Sequence, residues 1–232
     1  MLSIVSTPIG NLGDITLRAL ETLKTCDAIV CEDTRVTGQL LKLLGLEKKP
    51  LVSFHGYSDP RSLDPIVDRL KRGEHLCLVS DAGTPGISDP GYAVVSRCTQ
   101  EGIVVSALPG PAAFLAALSA SGLPINRFRY LGFLPLKKGR KTLMVSFAEE
   151  DDTIVFYESV HRIEKALDEL GEALTAQPDR PIVIARELTK LHEQFVRTTV
   201  SGLADTAKSL PKKGEFVVII GPLPRGSHHD DE

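Results

Sequence analysis

Short unbroken apolar runs alternate with helix-period segments through the first half of the chain, and this alternation limits the fold more than any other feature. Leu2–Thr7, Ala28–Cys31, Leu51–Phe54, Leu76–Val79 and Ile103–Leu108 predict strands. Strands that are apolar at successive positions, not at every second one, need cover on both faces. Helical spacing supplies that cover. Leu17, Leu20 and Leu23 recur with Asp14 placed to cap them, and Leu63, Ile66, Val67 and Leu70 share a second face. Tyr92, Val94, Val95 and Cys98 mark a third helix, and Phe114, Leu115 and Leu118 a fourth. The expected class is α/β, built on a parallel sheet.

The pattern changes at Ser121-Gly122-Leu123-Pro124, where a Pro- and Lys-rich stretch runs through Pro135–Gly139. A second β/α set follows. Thr153–Tyr157, Ile182–Ala185 and Phe216–Ile220 predict strands, and Ile163, Leu167 and Leu170 a helix. Glu193–Val200 suits an antiparallel pairing. The expected organisation is therefore an N-terminal domain over 1–122, a C-terminal domain over 123–225 and a disordered tail over 226–232.

Composition narrows the class further. With 42% hydrophobic and 25% charged residues, collagen-like, disordered and disulfide-scaffold classes are excluded. No apolar run approaches the ~20 residues of a membrane helix, and Met1–Val5 reads as a strand instead of a signal peptide, so the cytoplasm is expected. Cys26, Cys31, Cys77 and Cys98 form no C-x-x-C pair and read as buried reduced thiols, and no metal site is expected. Net charge is −3, yet Gly102–Ala148 holds no acidic residue. That stretch carries Arg127, Arg129, Lys137, Lys138, Arg140 and Lys141, a basic segment suited to phosphate, or else a solvated linker.

Candidate chemistry collects where Gly and Pro follow strands, since open α/β sheets bind ligands at strand C-terminal ends. Thr7-Pro8-Ile9-Gly10-Asn11-Leu12-Gly13-Asp14 opens one loop. Pro8 stands where a dinucleotide fingerprint has its first glycine, so a NAD site is a poor fit. Ser80–Gly91, with three Gly, two Pro and two Asp, is longer than a structural βα connection needs. Pro109-Gly110-Pro111-Ala112-Ala113 makes a third loop ahead of a helix. Polar clusters flank them: Glu32-Asp33-Thr34-Arg35, Tyr157-Glu158-Ser159, and Arg186-Glu187-Leu188-Thr189-Lys190. His161 and His192 lack metal-ligand spacing, and hydrolase and P-loop motifs are absent.

Taken in order, these motifs resemble the bacterial ribosomal RNA small-subunit methyltransferase I family, cytidine 2′-O-ribose methyltransferases of the tetrapyrrole-methylase superfamily. The resemblance spans about residues 2–221. It implies two α/β domains with S-adenosylmethionine (SAM) in the cleft between them, a homodimer, and small-subunit rRNA as substrate. Cofactor binding would fall to Gly10, Asp81, Gly83, Thr84, Pro85, Gly110, Ala112 and Ala113, with Tyr157 and Ala185 from the second domain. Asp33, Glu187 and Lys190 are the candidates for activating the ribose hydroxyl. Glu32, Arg35, Lys137, Lys138, Arg140 and Lys141 are the candidates for binding RNA. The chain departs from the family pattern at Ala112, usually Ser, at Val160, usually Pro, and at His55–Asp59, usually more polar. Two other functions fit parts of the pattern: a SAM-dependent methylase of a tetrapyrrole-type macrocycle, and a non-catalytic RNA-binding adaptor.

Overall fold

A computed structural model describes residues 1–54 and 60–223. The expected tail and the His55–Asp59 stretch lie outside the described residues. The chain forms two compact units, Met1–Ala112 and the residues from Ala113 onward. The division falls ahead of the Ser121–Pro124 punctuation, because the helix that precedes it packs with the second unit.

The first unit carries five strands: β1 (Leu2–Val5), β2 (Ala28–Cys31), β3 (Leu51–Ser53), β4 (Leu76–Leu78) and β5 (Val105–Leu108). All their pairings are parallel, in the order β3-β2-β4-β1-β5. Strand parity divides its core in two. Leu2, Ala28, Val30, Leu76 and Leu78 face α3 (Asp64–Lys71) and α4 (Gly91–Gln100) through Ile66, Leu70, Val94 and Cys98. Val5, Ile29, Cys31, Cys77 and Val79 face α1 (Leu17–Thr25) and α2 (Thr34–Leu43) through Ala19, Leu23 and Leu41. The unbroken apolar strands thus have their two covers. All four cysteines are buried and free.

Two local expectations change in this unit. Thr16, not Asp14, caps α1, its hydroxyl accepting from the Ala19 amide at 3.1 Å. Asp14 sits in a preceding 3₁₀ turn, too early to reach that amide. Leu17 and Tyr92 are solvent-exposed, so the packed faces of their helices are the narrower sets Ala19/Leu23 and Val94/Cys98.

The second unit begins with α5 (Ala113–Ser121) and holds β6 (Phe128–Phe133), α6 (Arg140–Ser146), β7 (Thr153–Ser159), α7 (Ile163–Ala173), β8 (Pro181–Arg186), β9 (Gln194–Thr199), α8 (Leu203–Ser209) and β10 (Glu215–Ile220). The sheet order is β6-β7-β10-β8-β9. Only β6 and β7 run parallel; β10 is antiparallel to both neighbours, and β9 pairs antiparallel with β8 as the sequence pattern predicts. The strand β6 corrects the reading of 122–139 as a connecting stretch. It is a half-exposed edge strand with a register shift between Tyr130 and Phe133, so it lacks the apolar alternation that marks the others.

A charged side chain sits fully inside this unit. Arg180, 0% exposed, donates to the backbone oxygens of Phe147, Glu150 and Gly221 and to the side-chain oxygen of Gln177, at 2.6–2.9 Å. Its charge is dispersed over oxygen dipoles from separate chain segments. Among the described residues no helix is long and apolar enough to cross a membrane.

Candidate cofactor loops and acceptor site

In the first unit the loops follow strands that are neighbours in the sheet, β4, β1 and β5. Because the strands are parallel, the loops leave the same edge. Thr7 and Gly83 exchange both backbone hydrogen bonds, N to O, at 2.9 and 3.0 Å, and the Thr7 hydroxyl donates to the Ser80 carbonyl at 3.1 Å. Gly83 adopts φ +88°, a region that side-chain-bearing residues rarely enter. The Thr84 hydroxyl donates to the Pro111 carbonyl at 2.8 Å and lies 2.9 Å from Ser6 Oγ. A Cβ on Gly110 would lie 2.5 Å from that of Ser6, so only glycine lets this backbone approach. Sequence reading missed Ser6, whose neighbour Thr7 begins the recognisable motif.

Asp89 accounts for part of the unusual loop length. Its carboxylate accepts from the amides of Gly86 and Gly91, both at 2.7 Å, and closes a self-contained turn. Asp81 through Pro85 remain beside Thr7 and Pro111. Gly10 and Asp81 are exposed, Thr84 half-buried, and Pro85 and Ala112 buried. Residues 7–14, 80–91 and 109–113 include no Lys or Arg, while Asp14, Asp81 and Asp89 are present. This donor set fits a cationic or zwitterionic ligand held by main-chain and hydroxyl groups.

The cluster after β2 is less open than its composition suggests. Asp33 caps α2, accepting from the Arg35 amide at 2.8 Å, and its two oxygens also take the Arg35 guanidinium at 3.1 and 2.7 Å. Those hydrogen bonds from Arg35 hold its carboxyl well below the usual range, which makes it a weak proton acceptor. The Asp33 amide in turn reaches Asp81 at 3.3 Å. Glu32 is half-buried and also has an interaction partner.

In the second unit the loop after β8 is charged and strained. Glu187 and Thr189 take φ +51° and +64°, which for a β-branched Thr is a genuine outlier. Lys190 Nζ bridges Glu187 at 3.0 Å and Glu215 at 2.9 Å. Partial burial works against the Lys190 charge, but bonds to Glu215 and Glu187 outweigh it and raise its pKa. The bond from Lys190 lowers that of Glu187. Glu215, at the start of β10, was not foreseen because it is distant in sequence. The Thr189 amide donates to Glu193 at 2.6 Å, and Arg186 donates to the Lys213 carbonyl at 2.6 Å, closing the loop on itself.

Tyr157 lies in β7 with its hydroxyl accepting from the Phe114 amide at 3.2 Å, and burial pushes its phenol well up. Tyr130 and Phe133 pack against its ring at 5.7 and 5.4 Å between centroids. Ala113 opens α5, one residue before Phe114. Ala185 is fully buried within β8, paired to both Val217 and Phe195, so its side chain offers no accessible surface to a ligand.

The basic segment divides sharply. Arg127 and Arg129 pair with Asp152 and Glu150 across β6 and the entry to β7. Arg140, expected to bind RNA, is instead buried and holds Glu158 at 3.2 Å and Glu169 at 2.7 Å. With Arg162 on the other Glu158 oxygen, it neutralises a carboxylate that is itself 1% exposed. Lys137, Lys138 and Lys141 are exposed and make no ion pair with any described residue. Among the described residues no cluster of three or more His, Cys, Asp or Glu is placed to hold a metal ion.

The sequence model of the family described as Tetrapyrrole (Corrin/Porphyrin) Methylases matches residues 1–204, and the chain belongs to that family. Solved structures share the fold. The methyltransferase CobJ aligns with a TM-score of 0.69 at 20% identity, covering 97% of this chain and 96% of that one. Uroporphyrin-III C-methyl transferase from Thermus thermophilus, complexed with S-adenyl homocysteine, aligns at 0.65 and 19%, covering 95% and 96%.

Within the family the chain belongs to the branch of ribosomal RNA small subunit methyltransferase I. It is 45% identical to the protein of that name from Thermotoga maritima, covering 94% of this chain and 97% of the relative. The Escherichia coli O157:H7 protein is also 45% identical, over 94% of this chain and 77% of the relative. That of Haemophilus influenzae is 44% identical, over 100% and 82%.

Proposed function

We propose that this protein transfers a methyl group from SAM to the 2′-oxygen of a cytidine ribose in the decoding region of small-subunit rRNA. The observation that carries this reading is the 44–45% identity, over nearly the whole chain, to relatives named for rRNA methylation. The cofactor loops support it, since their donor set suits a sulfonium cation beside an amino-acid zwitterion.

When bound, SAM supplies an activated methyl group for in-line displacement. Gly10, Asp81, Gly83, Thr84, Pro85, Gly110 and Ala112 fix its place, and Tyr157 with Ala113 is the second unit's contribution. Ala185, buried within β8, contributes through its backbone. Alignment of donor and acceptor is where most of the rate enhancement arises.

Lys190 remains an ammonium at neutral pH, so it stabilises developing charge on the ribose oxygen and does not take its proton. Glu187 and Glu215 orient Lys190, and Glu187 is kept as the candidate to take the hydroxyl proton. Asp33 orders the loop that presents Glu32 and Arg35. Lys137, Lys138 and Lys141 contact RNA phosphates. The protein acts in the cytoplasm as a homodimer.

The test is transfer of tritiated methyl from SAM to small ribosomal subunits taken from a strain lacking the modification. One position should become resistant to alkaline cleavage, because a methylated 2′-oxygen cannot attack the adjacent phosphate. Label recovered on a base, or on a porphyrin-type ring in preference to rRNA, would overturn the assignment.

A further inference from the structure

We propose that Ser6 is a positioning residue for the cofactor, acting through a two-hydroxyl relay that runs from Ser6 to Thr84 to the Pro111 carbonyl. The proposal rests on the reading that the first-unit loops hold SAM, and it concerns a residue outside the set assigned to the cofactor.

Proton counting fixes the direction of the relay. The Pro111 carbonyl has only lone pairs, and Thr84 has a single hydroxyl proton, so Thr84 donates to Pro111 at 2.8 Å. The contact of 2.9 Å between the two hydroxyls is then a bond donated by Ser6 and accepted by Thr84. Ser6 is 2% exposed, so water cannot replace this partner without opening the site. The same side chain also sets a distance by contact, since Gly110 passes so close that a Cβ there would meet Ser6 Cβ at 2.5 Å. Ser6 therefore gauges both later loops from the end of β1: one by a hydrogen bond, the other by van der Waals contact.

The relay changes the role of Thr84 as well. Its proton is committed to Pro111, so toward a ligand it can only accept. The Thr84 hydroxyl serves mainly to hold the loop after β4 at a fixed separation from the loop after β5. Removing it leaves the buried Ser6 without an acceptor and the partly buried Pro111 carbonyl without its donor. Removing the Ser6 hydroxyl costs one bond and leaves the Thr84–Pro111 bond intact.

The experiment is calorimetric titration of SAM and of S-adenosylhomocysteine into the full chain and its variants. Ser6→Ala should weaken SAM binding about fivefold and Thr84→Val about 30-fold, the range expected for one and two lost partly buried hydrogen bonds. The double variant should be no weaker than Thr84→Val alone, because both changes break the same relay. Thr84→Ser, which keeps the hydroxyl, should recover most of the affinity. In steady-state methyl transfer the loss should fall on KM for SAM and not on KM for the ribosomal subunit. A purely structural role would instead lower the binding stoichiometry and melting temperature at an unchanged Kd. Additive losses in the double variant, or an unchanged Kd for Thr84→Val while Thr84→Arg abolishes binding, would overturn the relay alone. SAM binding that survives Thr84→Arg would overturn the cofactor reading and the relay with it.

Discussion

The loops after β1, β4 and β5 and the loop after β8 are both strand-end sites, but they are held by opposite means. The first set is tied by backbone exchange, a hydroxyl relay and close glycine contact, without a single Lys or Arg. The second is tied by an ammonium between two carboxylates, with two non-glycine residues at positive φ. A ligand that already carries positive charge needs shape and neutral dipoles. An acceptor oxygen that gains negative charge during reaction needs a fixed cation. On the proposed function, the first set of loops would hold the cofactor and the loop after β8 would stabilise charge, and variants should separate these roles.

The largest separation is expected at Lys190. Lys190→Ala should lower methyl transfer by about 10²–10⁴-fold while calorimetry finds SAM affinity unchanged. A rate near that of the parent chain would remove Lys190 from the acceptor site. Next comes the exposed lysine set. Changing Lys137, Lys138 and Lys141 together to Ala should weaken RNA binding and reduce the slope of log affinity against log salt by about 0.7–0.9 for each lost phosphate contact. Arg140→Ala should behave differently, destabilising the second unit by leaving the buried Glu158 with Arg162 as its one cation among the described residues, and melting curves rather than salt titrations should reveal it.

A smaller effect is expected at Asp33. Asp33→Ala removes the cap of α2 and should lower the melting temperature by about 2–4 °C. A rate loss of about 10²-fold or more would instead return Asp33 to the proton-accepting role. The pH response should be the mildest. Glu187 is shifted below its ordinary 4.5 and Lys190 above its ordinary 10.5. The lowered carboxyl stabilises the fold above its unfolded value and loses that as pH falls through its folded one. The raised ammonium stabilises below its unfolded value and loses that as pH rises through its folded one. Their pairing should therefore be flat from about pH 5 to 10, and Glu187→Gln should lower that plateau and remove the part of its acid-end fall that Glu187 causes, read in a melting-temperature profile.

The parallel sheet was legible because Ala28–Cys31 and Leu76–Leu78 are apolar on both faces, a signature that survives without any neighbours in view. Edge strand β6 was not, since Phe128, Arg129 and Phe133 are exposed and a bulge breaks its period. The candidate loops could be read from Gly, Pro and polar composition. The partners that decide their chemistry could not: Ser6 for Thr84, Glu215 for Lys190 and Glu158 for Arg140 are brought together by topology from distant positions. Asp33 and Arg35 illustrate a different gap. Their spacing suits a functional pair and a capped, salt-bridged helix start equally well, and only geometry separates these readings.

Arg180 carries a consequence for the order in which the chain can fold during synthesis. Its guanidinium is dehydrated only when the carbonyl of Gly221 is in place, and β10, which lies between β7 and β8, ends one residue earlier. The second unit must therefore wait on the ribosome until its last strand has emerged, with a bare cation and two unpaired strand edges exposed meanwhile. The first unit has every strand of its sheet by Leu108 and has no such delay. Translation would thus meet one half with its sheet complete while the other still lacks the strand between β7 and β8 and the last acceptor of Arg180.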